Sequence, residues 1–98
     1  MGVAARTEFS DQALQVAVRF DACVATFKAA RWSLTGVRRL VALSASFEAL
    51  TASGKGFVVL QDDDCVKRLY PSEAMLSIIE AMERLAAECQ APAGPGVA

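Results

Sequence analysis

Histidine is absent from the chain. With it go the side chain most used for acid–base chemistry near neutral pH and the usual nitrogen ligand for zinc. Cysteine does not stand in for it. Cys23, Cys65 and Cys89 form no Cys-x-x-Cys pair, and three thiols leave one over in any disulfide scheme, which fits a reducing cytoplasm. They read as small buried apolar residues, the alternative being a redox role. The Gly-x-Ser-x-Gly elbow, the Gly-rich dinucleotide fingerprint and a complete P-loop are also missing. Ser53-Gly54-Lys55-Gly56 lacks the first glycine at the right distance and the Ser or Thr after the lysine. Lys55 is therefore a solvated linker residue or, alternatively, a phosphate contact. An independent enzyme is not expected, nor is a metal, a cofactor or a small-molecule substrate.

No apolar run approaches the ~20 residues that cross a bilayer, so no membrane association is expected. Excess charge is lacking too: ten basic and eleven acidic residues give a net charge of -1, without the basic field of a non-specific nucleic-acid binder. The start Met1-Gly2-Val3-Ala4-Ala5-Arg6 has neither the hydroxyl residue that myristoylation needs nor the apolar core of a signal peptide, so export is not expected.

What is present is 98 residues with 54% hydrophobic content, enough for one core and one domain. Much of that content is alanine, which favours helix but fills little volume. The bulk of the core has to come from Phe9, Phe20, Phe27, Trp32, Phe47, Phe57, Tyr70 and the aliphatic residues. A core this small makes association with a partner or with further copies an expectation.

Ser10 can cap a helix over 11–30, in which Val16, Phe20, Cys23 and Phe27 make one apolar stripe. Gly36 and its hydroxyl neighbours break the pattern, and a second helix over 37–52 carries Leu40, Leu43, Phe47 and Leu50 at spacings of three and four. Phe57-Val58-Val59-Leu60 is too short for a helix and reads as a strand, and 65–70 returns beside it through a loop built on a type I turn. Pro71 ends that strand. Ser72 caps a third helix with Met75, Ile79, Met82 and Ala86 in one row and Ile78, Leu85 and Cys89 in the next. The architecture is a small single-domain α+β unit, helix-helix-β-hairpin-helix, over residues 1–90, with 91–98 a disordered Ala/Pro/Gly tail. The first two helices are expected to pair, and the β ribbon to cover the third helix with Ile78, Ile79, Met82 and Leu85 turned inward to meet it.

Two groups of residues are candidates for partner contacts. Arg31, Trp32, Arg38 and Arg39 are the local basic group with an aromatic member. They read as surface charge around a core tryptophan, as a protein-binding patch, or as a nucleic-acid contact in a small regulator. Arginines at the start of a helix oppose its dipole by about 0.3–1 kcal/mol, which hints at a use. Asp62, Asp63 and Asp64, with Lys67 and Arg68 nearby, form a polar hairpin tip. Calcium-loop spacing is missing there, but the charge suits docking on a basic groove, as in an inhibitor or immunity-type protein.

Taken together, Leu50-x-x-Ser53-Gly54-Lys55, the strand 57–60, the polar turn, Val66-Lys67-Arg68-Leu69-Tyr70 and the Ser72-capped helix running to Met82-Glu83-Arg84-Leu85 resemble the small W-type head-to-tail joining proteins of tailed phages. The resemblance spans residues 50–88, under half of the chain. It implies a non-enzymatic adaptor that assembles as a ring on the portal vertex, closes the DNA-filled head and offers a surface for the tail. The long first helix and the uncharged C-terminal segment depart from that pattern. The leading expectation is a cytoplasmic interaction module, located in the virion if the resemblance holds, with the hairpin 57–70 and the outer sides of the helices making the contacts.

Overall fold

The computed structural model describes residues 7–90, and both the lead 1–6 and the expected disordered tail 91–98 lie outside them. The order of elements is β1 (Thr7–Phe9), α1 (Asp11–Ala29), α2 (Leu34–Ala52), β2 (Phe57–Gln61), β3 (Lys67–Pro71) and α3 (Glu73–Gln90). The class is α+β, as the sequence predicts. Among the described residues no helix is long and apolar enough to cross a membrane.

Each helix begins on a serine whose hydroxyl oxygen accepts a first-turn N–H: Ser10 from Ala13, Ser33 from Gly36 and Ser72 from Met75. The middle case corrects the expected break. Gly36 lies inside the first turn of α2, because Ser33 caps three residues upstream and an otherwise weak helix former is tolerated there. The chain turns instead at Ala30–Ser33. A Cβ on Gly36 would stand 3.0 Å from the Trp32 ring, so any larger residue would push the ring back by a few tenths of an ångström.

The sheet has three strands in the order β1-β3-β2, with β1 parallel and β2 antiparallel to β3. The hairpin is as expected, but β1 is an addition. Thr7, Glu8 and Phe9 pair with Lys67, Arg68 and Leu69, and the Ser10 N–H continues the ladder to the Leu69 carbonyl at 3.0 Å. Ser10 is thus buried, joining the end of β1 to the start of α1. Pro71 is the last residue of β3, opposite Phe57. Its missing N–H faces the side on which β1 has already run out, so no ladder bond is forfeited there. The turn closes with the Cys65 N–H on the Asp62 carbonyl at 2.8 Å, and Cys65 adopts φ 63°, a left-handed conformation.

The third helix is the centre of the molecule. Its buried residues Met75, Ile79, Met82, Leu85 and Ala86 meet Val16, Cys23 and Phe27 of α1, with Leu40, Leu43, Phe47 and Leu50 of α2 half-buried against the same cluster. Two expectations are corrected by this. The apolar side of α3 is covered by helices rather than by the β ribbon, which joins the core through Phe57 and where Gly56 meets Met75 in the first turn of α3. In addition, α1 and α2 pack on α3 rather than against each other's backbones, meeting through the stacked rings of Phe20 and Phe47, 4.9 Å apart. Two long apolar helices find more surface on either side of a third than on one another. Arg19 and Glu83 tie α1 to α3 through paired hydrogen bonds of 2.8 and 2.6 Å.

Phe9 and Cys65 are also placed differently from expectation. Phe9 is 58% exposed, keeping an edge-to-face contact with Phe57 at 6.4 Å, because the face of the sheet it shares with Leu69 and Val59 is largely uncovered. Cys65 sits exposed at the turn, whereas Cys23 is buried and Cys89 half-buried.

Candidate functional site

The basic group splits on folding. Trp32 is half-buried, its Nε1–H donates to the Phe27 carbonyl at 3.0 Å, and its ring lies 5.6 Å from that of Phe27. It joins the apolar cluster as a structural residue closing the α1–α2 turn. Arg39 reaches across to α3, where both carboxylate oxygens of Glu88 accept from its Nη1 at 2.9 and 2.7 Å. Arg31, Trp32 and Arg39 border one open cleft of about 650 Å³ together with Thr35, Glu88 and Cys89, while Arg38 does not line it. The fold therefore brings three of the four predicted residues to one place, but one of its two arginines is already neutralised there.

The acidic tip is organised from within. Residues two apart in a strand share a face, so Arg68 and Tyr70 project together on the side to which the turn curls back. Arg68 bonds Asp62 at 2.7 Å and Asp64 at 2.8 and 3.0 Å, and the Tyr70 hydroxyl donates to Asp62 at 2.6 Å. Asp64 also accepts the Val66 N–H, and Glu8 of β1 approaches Arg68 at 3.9 Å. The Tyr70 hydroxyl, and after it Arg68, hold the Asp62 carboxyl below the usual carboxylate range. Arg68 and the Val66 N–H do the same for Asp64. In return Asp62 raises the Tyr70 phenol. Two of the three aspartates, and Arg68, are spent on holding the turn. Asp64 stays exposed while paired, whereas Asp63 and Lys67 are exposed and make no ion pair among the described residues.

Among the described residues no group of His, Cys, Asp or Glu is arranged to hold a metal ion. No family model, curated protein or solved structure matches the chain.

What reading the sequence missed is apolar. None of the residues of α2 is fully buried. Leu40, Leu43, Phe47 and Leu50 lean on α3, whereas Leu34, Val37 and Val41 lie on another side of the same helix and are 66%, 41% and 62% exposed. At 100° per residue the two rows are separated by roughly 140° around the helix. Where α1 and α2 diverge, a groove of about 230 Å³ opens between Phe20, Val24, Leu40, Leu43 and Phe47, with Met82 also lining it. The signal was available: Leu34-x-x-Val37-x-x-x-Val41 has helical spacing of its own, out of phase with the row that packs.

Proposed function

We propose that the chain is a non-enzymatic interaction module that docks on a larger protein assembly through α2 and the groove beside it. The observation that carries this reading is that a helix of 19 residues buries none of them while presenting Leu34, Val37 and Val41 to water. Apolar side chains scattered singly on a surface need no explanation, but a row of helical period beside an open apolar groove is the shape that a protein partner covers. The reading takes its concrete form from the resemblance of residues 50–88 to the small head-to-tail joining proteins of tailed phages. The module would then bridge portal and tail, acting in the cytoplasm during assembly and in the virion afterwards. A basic, nucleic-acid-binding use of Arg31, Trp32, Arg38 and Arg39 has less support, since Trp32 packs on the core and Arg39 is paired at the surface with Glu88.

The test is a binding measurement between the purified chain and purified portal and tail proteins of tailed phages. Binding is expected, and Val37→Asp and Val41→Asp should abolish it while leaving thermal stability nearly unchanged. Absence of binding, or binding indifferent to both substitutions, would overturn the proposal.

A further inference from the structure

The free edge of the sheet carries a second, separate inference. Edge strands of natural sheets are shielded by shortness, charge, proline or a covering helix. β1 follows that rule, having three residues with Glu8 at its centre. β2 does not: Phe57-Val58-Val59-Leu60-Gln61 has no charge and no proline, and Val58, Val59 and Leu60 are 43%, 52% and 52% exposed. No helix packs along it, and only Phe57 joins the helical core.

The backbone phase of this edge is fixed. The Ser72 N–H donates to Gly56 and the Asp62 N–H to Val66, so residues 56 and 62 face β3. Because hydrogen-bonded pairs alternate along an antiparallel ladder, Val58 and Leu60 face β3 as well, and the N–H and C=O groups of Phe57, Val59 and Gln61 point away from it. That row of donors and acceptors is symmetric about Val59.

The geometry points to a second copy of this chain as the occupant: two β2 strands pair antiparallel about a two-fold axis at Val59, joining two three-stranded sheets into one. In that register Val59 meets Val59 of the second copy and Phe57 meets its Gln61, each as a hydrogen-bonded pair exchanging both bonds. The face bearing Phe9, Leu69 and Val59 continues as one apolar band across both sheets. The charges flanking the strand complete the match. Carried just past the ends of β2 into the flanking turns, the same register brings Lys55 towards Asp63 of the second copy, and Asp63 towards its Lys55. Both side chains are exposed and make no ion pair among the described residues. A strand with like charges at its two ends would repel itself in this arrangement, whereas this one attracts itself. The pairing uses neither α2 nor the groove, so it stands or falls independently of the docking proposed above.

The experiment is sedimentation equilibrium of the full chain, with amide hydrogen exchange measured at low and high concentration. A monomer–dimer equilibrium is expected, with the amides of Phe57, Val59 and Gln61 gaining protection on dimerisation while those of Val58 and Leu60 stay protected throughout. Val59→Pro removes an outward N–H without touching the ladder to β3, and Val59→Lys sets like charges on the axis; each should leave a folded monomer. Lys55→Glu and Asp63→Lys, both at exposed positions, should each weaken the dimer about tenfold, and the two together should restore it. A chain monomeric at all accessible concentrations would overturn the inference. So would a dimer whose formation leaves the Phe57, Val59 and Gln61 amides unprotected, or one indifferent to the charge substitutions.

Discussion

The Tyr70 hydroxyl lies 2.6 Å from both carboxylate oxygens of Asp62, joining the far end of β3 to the turn that precedes the strand. The bond lowers the Asp62 pKa and raises that of Tyr70, so it acts on stability at both ends of the pH scale. A depressed carboxyl contributes stability that is present above its unfolded pKa, near 3.8, and is lost as pH falls through the lower folded value. A raised phenol contributes stability that is present below about 10 and is lost as pH rises through the higher folded value. Tyr70 is the sole tyrosine, so phenolate absorbance reports its titration without ambiguity. The Asp62→Asn variant should shift that titration towards lower pH, and Tyr70→Phe should shift the carboxyl signal of Asp62 upward in an NMR titration.

Arg19 and Glu83 form a two-pronged pair between α1 and α3, with roughly a third or more of each side chain in water. Glu83 is held below its ordinary pKa by the Arg19 hydrogen bond. The pair should contribute about 0.5–1 kcal/mol in a double-mutant cycle of Arg19→Met and Glu83→Gln monitored by urea unfolding. That coupling should be full above pH ~4.5 and fade as acid carries Glu83 through its depressed folded value. A cycle in which the two substitutions add independently would show that the pair positions the helices without stabilising them.

Cys65 occupies a left-handed backbone conformation that glycine adopts without steric penalty. Cys65→Gly should raise stability by about 1 kcal/mol, seen as a higher urea midpoint at unchanged slope. Cys65→Val, a β-branched residue at the same φ, should lower it.

Ile79 is 0% exposed at the meeting of all three helices, and Ile79→Ala should cost about 2–5 kcal/mol. By contrast Val41→Ser, on the open side of α2, should change stability by less than about 0.5 kcal/mol. The contrast separates the row that holds the fold together from the row available to a partner.

The parts of the fold legible in the sequence are those whose signals are local. The rows Val16-Phe20-Cys23-Phe27 and Met75-Ile79-Met82-Ala86 repeat at helical period and are buried as that period requires. Glycine, proline and the aspartates bracket β2 and β3 closely enough to place the hairpin. β1 was not legible, because Thr7-Glu8-Phe9 is too short to alternate and becomes a strand only against β3, far along the chain. Nor was the central position of α3, since three apolar stripes of similar strength do not say which helix lies between the other two. At the acidic tip, residue types suggested an exposed charge cluster. What tied up the charges of Asp62 and Asp64 was the register that aims Arg68 and Tyr70 back at the turn, a matter of pairing rather than composition.

The elements that everything else leans on, β3 in the sheet and α3 among the helices, come after the other described elements in chain order. Until they leave the ribosome, α1 and α2 have nothing to close upon and β1 has no neighbour. The domain must therefore assemble in one late step, and a growing chain halted before residue 67 carries its oily stripes bare, a ready client for chaperones.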